Sequence, residues 1–559
     1  MIGWNPPIAV RMFFAVAFMN IAYGGMSLGH VQTISRVGPA LESKFAIPDP
    51  KASCRPEAIQ AIVDKLAVTV TMEMIADGPQ LTGGTEFVAA SCNILTYCQV
   101  TGSFITNPQT GEATNFLATL PAARNHKYEQ LGCSGHCGNF IISDAATPPI
   151  TITSQGCPDE SILKGYASFS TDGGHMSPPG GGWAVKSSGY TNQDAIEDFY
   201  CCSDKVLAQI CKVFAVAFYS GAPGQVQKIT HFYFVGCSGG GKDALVAAAF
   251  FPEEFDGIVA GSAYANMVGG AFHSAEGALA MIRSKDADVP TPLISRVDPI
   301  IKAQCDALDG VNGGLIQNPM ACNFIPQRDL PRCENGARSN NCFTQAEIDS
   351  ISTLVMAMAD EYGHVVQPGY MVSDLKDAMR MPPPQDSTAI EPWPLQAQSP
   401  MAMWGLSDAV LRLRVFVHQD DPNFHLRSVI KFGEGRRGSV TAFRIIVPQS
   451  EVAKAMASAN AGIGVHPDKM ARFIQNKRKL SIWANLSDQL LTPYMSVNYY
   501  RRMAEMYGGY PKLQDTVRPF LLPDINHCSM SGCGPQNFDA LTAIENWADK
   551  GDAPDSETI

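Results

Sequence analysis

The 559-residue chain predicts an α/β fold, in which helices flank a largely parallel sheet and one long insertion interrupts the sequence. Three observations carry that prediction. Thr230 to Val235 is aromatic and β-branched like a strand, a glycine-rich turn follows, and Lys242 to Phe251 is rich in Ala, Leu and Phe until Pro252 stops it. Close behind, Glu254 to Ala260 is a short apolar run that fits the next parallel strand. From about Tyr264 to Lys477 the text changes character and is too long to be a loop, so it reads as an inserted domain over the edge where the turn opens.

In chain order, residues 1–29 read as an export leader: Arg11 precedes the apolar stretch Met12 to Met19, which continues to about Tyr23 and ends in Gly24, Gly25, Ser27 and Gly29. Residues 30–263 form the first part of the α/β core, with helical patches at Pro56 to Leu66 and Gln193 to Phe218. Residues 264–477 form the insertion, with a helix at Gln345 to Tyr362, a Pro-rich stretch at Met381 to Pro394 and cysteines at 305, 322, 333 and 342. Residues 478–559 complete the core with a strand at Lys479 to Trp483, a helix around Tyr494 to Tyr507, an apolar run at Arg518 to Pro523 and a closing helix at Phe538 to Lys550. No later segment is an apolar run long enough to span a bilayer, so no membrane association is expected of the mature form.

The formal charge of −12 argues against nucleic-acid binding, and the short basic runs Arg436-Arg437 and Lys477-Arg478-Lys479 read as solvated surface. Sixteen cysteines suit an oxidising compartment, secreted or periplasmic. Zinc is the competing explanation, but Cys133-x3-Cys137 and Cys201-Cys202 lack a second pair at metal-ligand distance, which favours disulfides.

The turn between strand and helix admits two chemistries. Gly236-x-Ser238-x-Gly240 is a nucleophile elbow that lifts a serine hydroxyl above a sheet. Gly236 to Lys242 also fits G-x-x-x-x-G-K, a phosphate-cradling loop. A phosphate loop needs Ser or Thr after the lysine to ligate Mg²⁺, and Asp243 would set a carboxylate beside the triphosphate, so the elbow is favoured over a nucleotidase.

A serine nucleophile needs a base, and the base needs an acid to hold its tautomer. With the order Ser, acid, His and each partner in a loop after a strand, Asp488 and His527 fit. Cys237 precedes Ser238 and Cys528 follows His527. A bridge between those cysteines would hold their Cα atoms about 4.4–6.8 Å apart; a free Cys237 with Cys528 bonded to Cys533 fits the spacing as well.

Gly236-Cys-Ser-x-Gly-Gly241 together with Asn526-His527-Cys528 resembles the tannase and feruloyl esterase family of α/β-hydrolases. The likeness extends to Tyr233–Ser238, Phe251–Gly261, Ser170–His175 and Gly532–Trp547, and covers about residues 50 to 555, faintly in the insertion. It implies an α/β-hydrolase core with a lid domain, Ser238, Asp488 and His527 as the triad, and a Cys237–Cys528 disulfide joining nucleophile and base. Asp488 is aligned because Gln489-Leu-Leu-Thr-Pro493 matches the stretch just after the family's acid, although Asn485-Leu-Ser-Asp488 replaces the common Gly-Trp-Ala-Asp. Gly132-Cys-Ser-Gly-His-Cys-Gly138 is similar to the oxyanion loop of fungal-type members, so the expected oxyanion donors are the N–H of Gly239, where relatives commonly carry Thr or a larger residue, and that of Ser134 or Gly135.

The resemblance also implies a calcium site in the lid, a hard cation held by oxygen ligands. Here Asp306, Asp309 and the carbonyls of Val311 and Leu315 are retained, while Gly313 replaces a third acid, so weakened binding is expected; a turn stapled by Cys305–Cys322 is the alternative. Cys54–Cys98 is expected by resemblance, Cys133–Cys137 by proximity and Cys333–Cys342 by loop length. Asp172 and His175 read as supports beneath the elbow, and the sequon at Asn485 is expected to stay unmodified beside Asp488.

The expected function is a secreted serine esterase acting on small aromatic esters, free or attached to plant polysaccharide, with no cofactor needed for catalysis. Feruloyl esters lead, with tannin galloyl esters and terephthalate monoesters as alternatives. Arg412, Arg414, Phe416 and Phe424 in the insertion are candidates to bind the aromatic acid. From other classes, a catalytically dead polyphenol- or carbohydrate-binding homologue and the phosphate-loop nucleotidase remain as contrasts.

Overall fold

The computed structural model describes residues 50–555, apart from 71–79, 89–96, 139, 141–159, 177–181, 185, 187–191, 221–227, 283, 285, 335–337, 360–364, 374, 381–406, 408–409, 412–430, 435–442, 447–464, 530–533 and 535–537. The expected leader, the Pro-rich stretch, Arg412, Arg414, Phe416, Phe424 and Cys533 lie outside the described residues. Every described residue belongs to one compact unit, Phe45–Ile559.

A nine-stranded sheet organises that unit. Its strands are β1 (Gln80–Val88), β2 (Tyr97–Asn107), β3 (Glu112–Pro121), β4 (Lys127–Leu131), β5 (Ala167–Thr171), β6 (His231–Cys237), β7 (Gly257–Gly261), β8 (Lys479–Asn485) and β9 (Val517–Leu522). Their spatial order is β1-β2-β3-β5-β4-β6-β7-β8-β9. The first three strands and the β3–β5 pairing are antiparallel, whereas the run from β5 through β9 is parallel. Burial follows from that arrangement. In β2 buried and half-buried residues alternate, as in a strand with one covered face, while β5 and β7 are buried at every position because helices cover both faces.

On one face lie α1 (Pro56–Val70), α2 (Ser203–Ser220) and α3 (Gly239–Phe250), whose Leu207, Phe214, Phe218 and Ala244 to Ala249 share a core with Phe116, Phe169, Phe234, Ile258 and Ile482. Cys54, just before α1, is bonded to Cys98 in β2. The expected helix from Gln193 is continuous in direction but not in type. Gln193–Glu197 passes into a π-helical turn, Asp198–Cys202, before α2 begins. The opposite face is closed by the C-terminal helix, where Ile544 and Trp547 of Ala540–Lys550 pack on Tyr233, Val259 and Trp483.

Residues beyond β7 build a further core around α4 (Met267–Ile282) and α5 (Gln345–Val355), with Phe272, Leu279, Ile294, Phe343, Ile348 and Ile351 in one cluster. That cluster takes in Cys133, Cys137, Trp183, Phe199, Tyr264 and Leu491, so the insertion packs against the loops at the carboxyl ends of the parallel strands. Helix α5 starts at a capping box made by Thr344 and Glu347 but ends at Val355, short of the expected Tyr362. The chain turns there because Met358–Ala359 pairs antiparallel with Val365–Gln367. Likewise β7 starts three residues after Glu254, where Asp256 and Phe232 exchange hydrogen bonds of 2.8 and 3.0 Å that hold the preceding turn.

Candidate active site

Strand β6 ends and α3 begins at Ser238, which has φ 64° and ψ −118°. A non-glycine residue rarely accepts such a backbone, at a cost of about 1–3 kcal/mol, and neighbours must impose it. Here the Ser238 N–H donates to Gly261 O at 3.0 Å, and Ser238 O accepts from the N–H groups of Lys242 at 3.0 Å and Tyr264 at 3.3 Å. The turn is tight enough that a Cβ at Gly236 would lie 2.2 Å from Gly240 O.

Asp488 and His527 leave the ends of the neighbouring strands β8 and β9. The His527 Nδ1–H donates to Asp488 Oδ2 at 2.8 Å, and both side chains are almost wholly buried. The second oxygen of Asp488 accepts from Leu490 N at 2.9 Å and Leu491 N at 2.8 Å, which locks the carboxylate's orientation. The backbone N–H of His527 donates to Gln489 Oε1 at 3.0 Å, and Asn485 Nδ2 donates to Asn526 O. Asn485, the sequon residue, has no exposed surface. Asp488 sits three residues past β8 and His527 five past β9, since β8 runs on to Asn485 and β9 stops at Leu522.

Cys237 and Cys528 are disulfide-bonded across a sequence separation of 291, with Cα atoms 6.0 Å apart. The residue before Ser238 is therefore covalently joined to the residue after His527. Cys528 has φ 49°, in the left-handed region. The pairs Cys54–Cys98, Cys133–Cys137, Cys305–Cys322 and Cys333–Cys342 are also bonded, whereas Cys201, Cys202 and Cys211 are free thiols.

The Gly132 to Gly138 loop lies directly on the start of α3. A Cβ at Gly239 would stand 2.3 Å from Gly135 O, so this position admits no side chain while the loop holds its place. Gly239 opens α3, and first-turn N–H groups have no acceptor within their helix, which leaves them free for an anion. The loop is tied at several points: Gly138 N donates to Asp172 O at 2.8 Å, His175 Nε2 donates to His136 O at 2.8 Å, and Cys133 is bonded to Cys137. Asp172 in turn accepts from Asn115 Nδ2 at 2.6 Å and Gly174 N at 2.9 Å, and His175 stacks on Trp183 with ring centroids 4.1 Å apart.

The phosphate-loop reading fails on Lys242. Its side chain is 1 % exposed, paired with Asp243, and its Nζ donates to Phe199 O at 2.7 Å, so it points into the core and away from any phosphate. In the Cys305 to Leu315 segment, Asp306 Oδ2 accepts from Gly314 N at 3.0 Å and Asp309 Oδ1 from Val311 N at 2.8 Å. Asp306 Oδ1 is buried with no hydrogen-bond partner, as an oxygen intended for a cation would be.

Several contributors were not anticipated from the sequence. Gln489 orients the backbone of the histidine. Tyr370 and Ser373, from the insertion, donate to Leu490 O at 2.9 Å and Leu486 O at 2.6 Å and so brace the acid's loop from outside the core. Gln489 could have been noticed beside the acid; Tyr370 and Ser373 carry no motif, because their roles depend on long-range packing.

A sequence model described as tannase and feruloyl esterase matches residues 98–559. A probable feruloyl esterase from Arthroderma benhamiae is 24% identical over 398 residues, covering 70% of this chain and 68% of its own length. The mono(2-hydroxyethyl) terephthalate hydrolase of Piscinibacter sakaiensis is 23% identical over 522 residues, 84% of this chain and 78% of that protein. Among solved structures, feruloyl esterase B from Aspergillus oryzae superposes with a TM-score of 0.66 at 19% identity, covering 89% of this chain and 91% of that one, and so shares its α/β-hydrolase fold.

Proposed function

The chain belongs to the tannase and feruloyl esterase family and is a carboxylic ester hydrolase, and from that premise we propose that it cleaves esters of aromatic acids, feruloyl and related hydroxycinnamoyl esters foremost, through a covalent acyl-enzyme. Ser238 Oγ attacks the ester carbonyl while His527 Nε2 takes its proton, and Asp488 holds the imidazole in the tautomer that leaves Nε2 free. The N–H groups of Gly239 and of the loop at Gly135 face the tetrahedral oxyanion. Collapse expels the alcohol, protonated by the imidazolium. Water then repeats the sequence on the acyl-enzyme and releases the acid.

One observation carries this reading: the 2.8 Å bond from His527 Nδ1 to Asp488 Oδ2 is anchored to the elbow through Cys528–Cys237. Ser238→Ala is expected to lower turnover of p-nitrophenyl acetate by roughly 10⁵- to 10⁶-fold. Undiminished activity in that variant would refute the serine assignment. Labelling by a fluorophosphonate separates the enzyme from a binding protein that has lost catalysis.

The small aromatic ester is free or attached to plant polysaccharide, and the disulfides support a secreted or periplasmic location. Methyl ferulate, methyl gallate and a terephthalate monoester distinguish the feruloyl, tannin and terephthalate specificities; the expected order puts methyl ferulate first. The Cys305 to Leu315 loop fits Ca²⁺ with Asp306, Asp309 and the carbonyls of Val311 and Leu315, its unpartnered Asp306 oxygen favouring a cation and its two carboxylates giving weak affinity. Bound there, calcium would neutralise the loop's charge and take no part in ester hydrolysis. A chelator is accordingly expected to lower the melting temperature without lowering kcat at 25 °C.

A further inference from the structure

We propose that the buried pair Lys242–Asp243 is a positioning device for the oxyanion loop, fixing the backbone of Cys133, and through it that of Gly135, against the Ser238 elbow. The inference rests on the serine-esterase reading of the site. Both residues lie in the first turns of α3, and Lys242 N closes the elbow's first helical turn on Ser238 O at 3.0 Å. Their side chains turn inward, 1 % and 2 % exposed. One carboxylate oxygen of Asp243 takes the Lys242 ammonium; the other accepts the backbone N–H of Cys133 at 3.2 Å.

Lys242 is itself fixed, its Nζ donating to Phe199 O at 2.7 Å and standing 4.0 Å above the Phe199 ring. A continuous set of contacts thus runs from the π-helical turn at Phe199, through the ammonium and the carboxylate, to the first residues of the loop. Removing two charges from water is costly, so such a pair is a poor device for stability alone and a better one for geometry. The lysine's charge also has a specific use. Burial pushes the Asp243 carboxyl toward its protonated form, and the adjacent ammonium, together with the Cys133 N–H that it accepts, opposes this.

The far side of the loop is tied by Asp172 O and His175, and its middle rests on Gly239. Asp243 supplies the side-chain tie on the near side, two residues before Gly135. Loss of that tie displaces an oxyanion donor without touching the substrate's binding groups, so it moves kcat and leaves KM.

The test uses Lys242→Met, Asp243→Ala and the double variant Lys242→Met/Asp243→Leu, which removes both charges and the acceptor for the Cys133 N–H while keeping a branched side chain of similar shape. Each is assayed on p-nitrophenyl acetate and for inhibition by a trifluoromethyl ketone, whose adduct with Ser238 carries the oxyanion. Expected for the double variant is a kcat lower by roughly 10- to 100-fold, KM within about twofold of wild type and a matching rise in Ki, with the melting temperature close to wild type. A double variant with wild-type kcat and Ki would overturn the proposal, leaving the pair a packing feature. Asp243→Glu, which keeps charge and acceptor, is the fallback should the double variant not fold; its kcat is expected to stay above that of Asp243→Ala, and equal losses would count against the proposal. Ser238→Ala run in parallel tells the two failures apart: an active Ser238→Ala defeats the serine reading, whereas an inactive one beside a fully active double variant defeats only the tether.

Discussion

Gly239 is a position where one absent Cβ lets two backbone segments touch. The loop carbonyl of Gly135 occupies the space a side chain would need, at 2.3 Å from its first carbon. Gly239→Ala is therefore expected to push the loop away and lower kcat at least about 10-fold while the melting temperature changes little. Unchanged turnover would show that the loop can move without loss. As candidates for nucleophile, acid and base, Ser238, Asp488 and His527 were legible at this scale because each stands in a turn or loop at the end of a strand. Lys242 was legible as a motif and misleading as a mechanism, since a glycine-lysine spacing does not say which way the lysine points.

Among the elements, the π-helical turn Asp198–Cys202 and helix α4 carry titratable groups whose burial gives them opposite pH signatures. Burial, with smaller contributions from Glu112 and Asp172, raises the Asp198 carboxyl to about 7 against the hydrogen bonds it accepts from Thr106 and Thr114. The folded state thus binds this proton more tightly than the unfolded state, so the stability it contributes is complete below the unfolded value of 3.8 and is lost as pH rises through about 7. His273 in α4 is buried and lowered to about 4, its Nε2–H donating to Thr353 O at 3.1 Å. Its contribution is present above 6.5 and lost as pH falls through about 4. Between those limits the two slopes oppose each other. Asp198→Asn removes one of them, so its melting temperature is expected to match wild type near pH 4 and to exceed it by a growing margin up to about pH 7, worth at most about 4 kcal/mol. A margin independent of pH, read by differential scanning calorimetry, would contradict the assignment. Neither group could be read from its neighbours in sequence, because both shifts arise from burial.

For the whole molecule, the Cys237–Cys528 bond joins segments separated by 291 positions and closes most of the second half of the core together with the insertion into one loop. In the chain-entropy account a loop of that length lowers the unfolded state's entropy enough to stabilise the fold by about 6 kcal/mol, before any strain. Replacing both cysteines by serine is expected to lower the melting temperature and also to lower kcat at temperatures where the variant is fully folded, since His527 then loses its tie to the elbow. A variant that melts early yet keeps wild-type kcat at about 15 °C would reduce the bond to a staple. By itself the sequence determined the parallel core, the presence of a long insertion and the candidates for nucleophile, acid and base, because strand, turn and helix patterns and short motifs are local properties of the text. It left Cys528 free to pair with either Cys237 or Cys533, and it disfavoured a phosphate role for Lys242 without saying where that side chain goes. Only the tertiary structure decided those, and it alone brought Tyr370 and Ser373 to the acid's loop, because pairing across hundreds of residues is set by which surfaces become buried together.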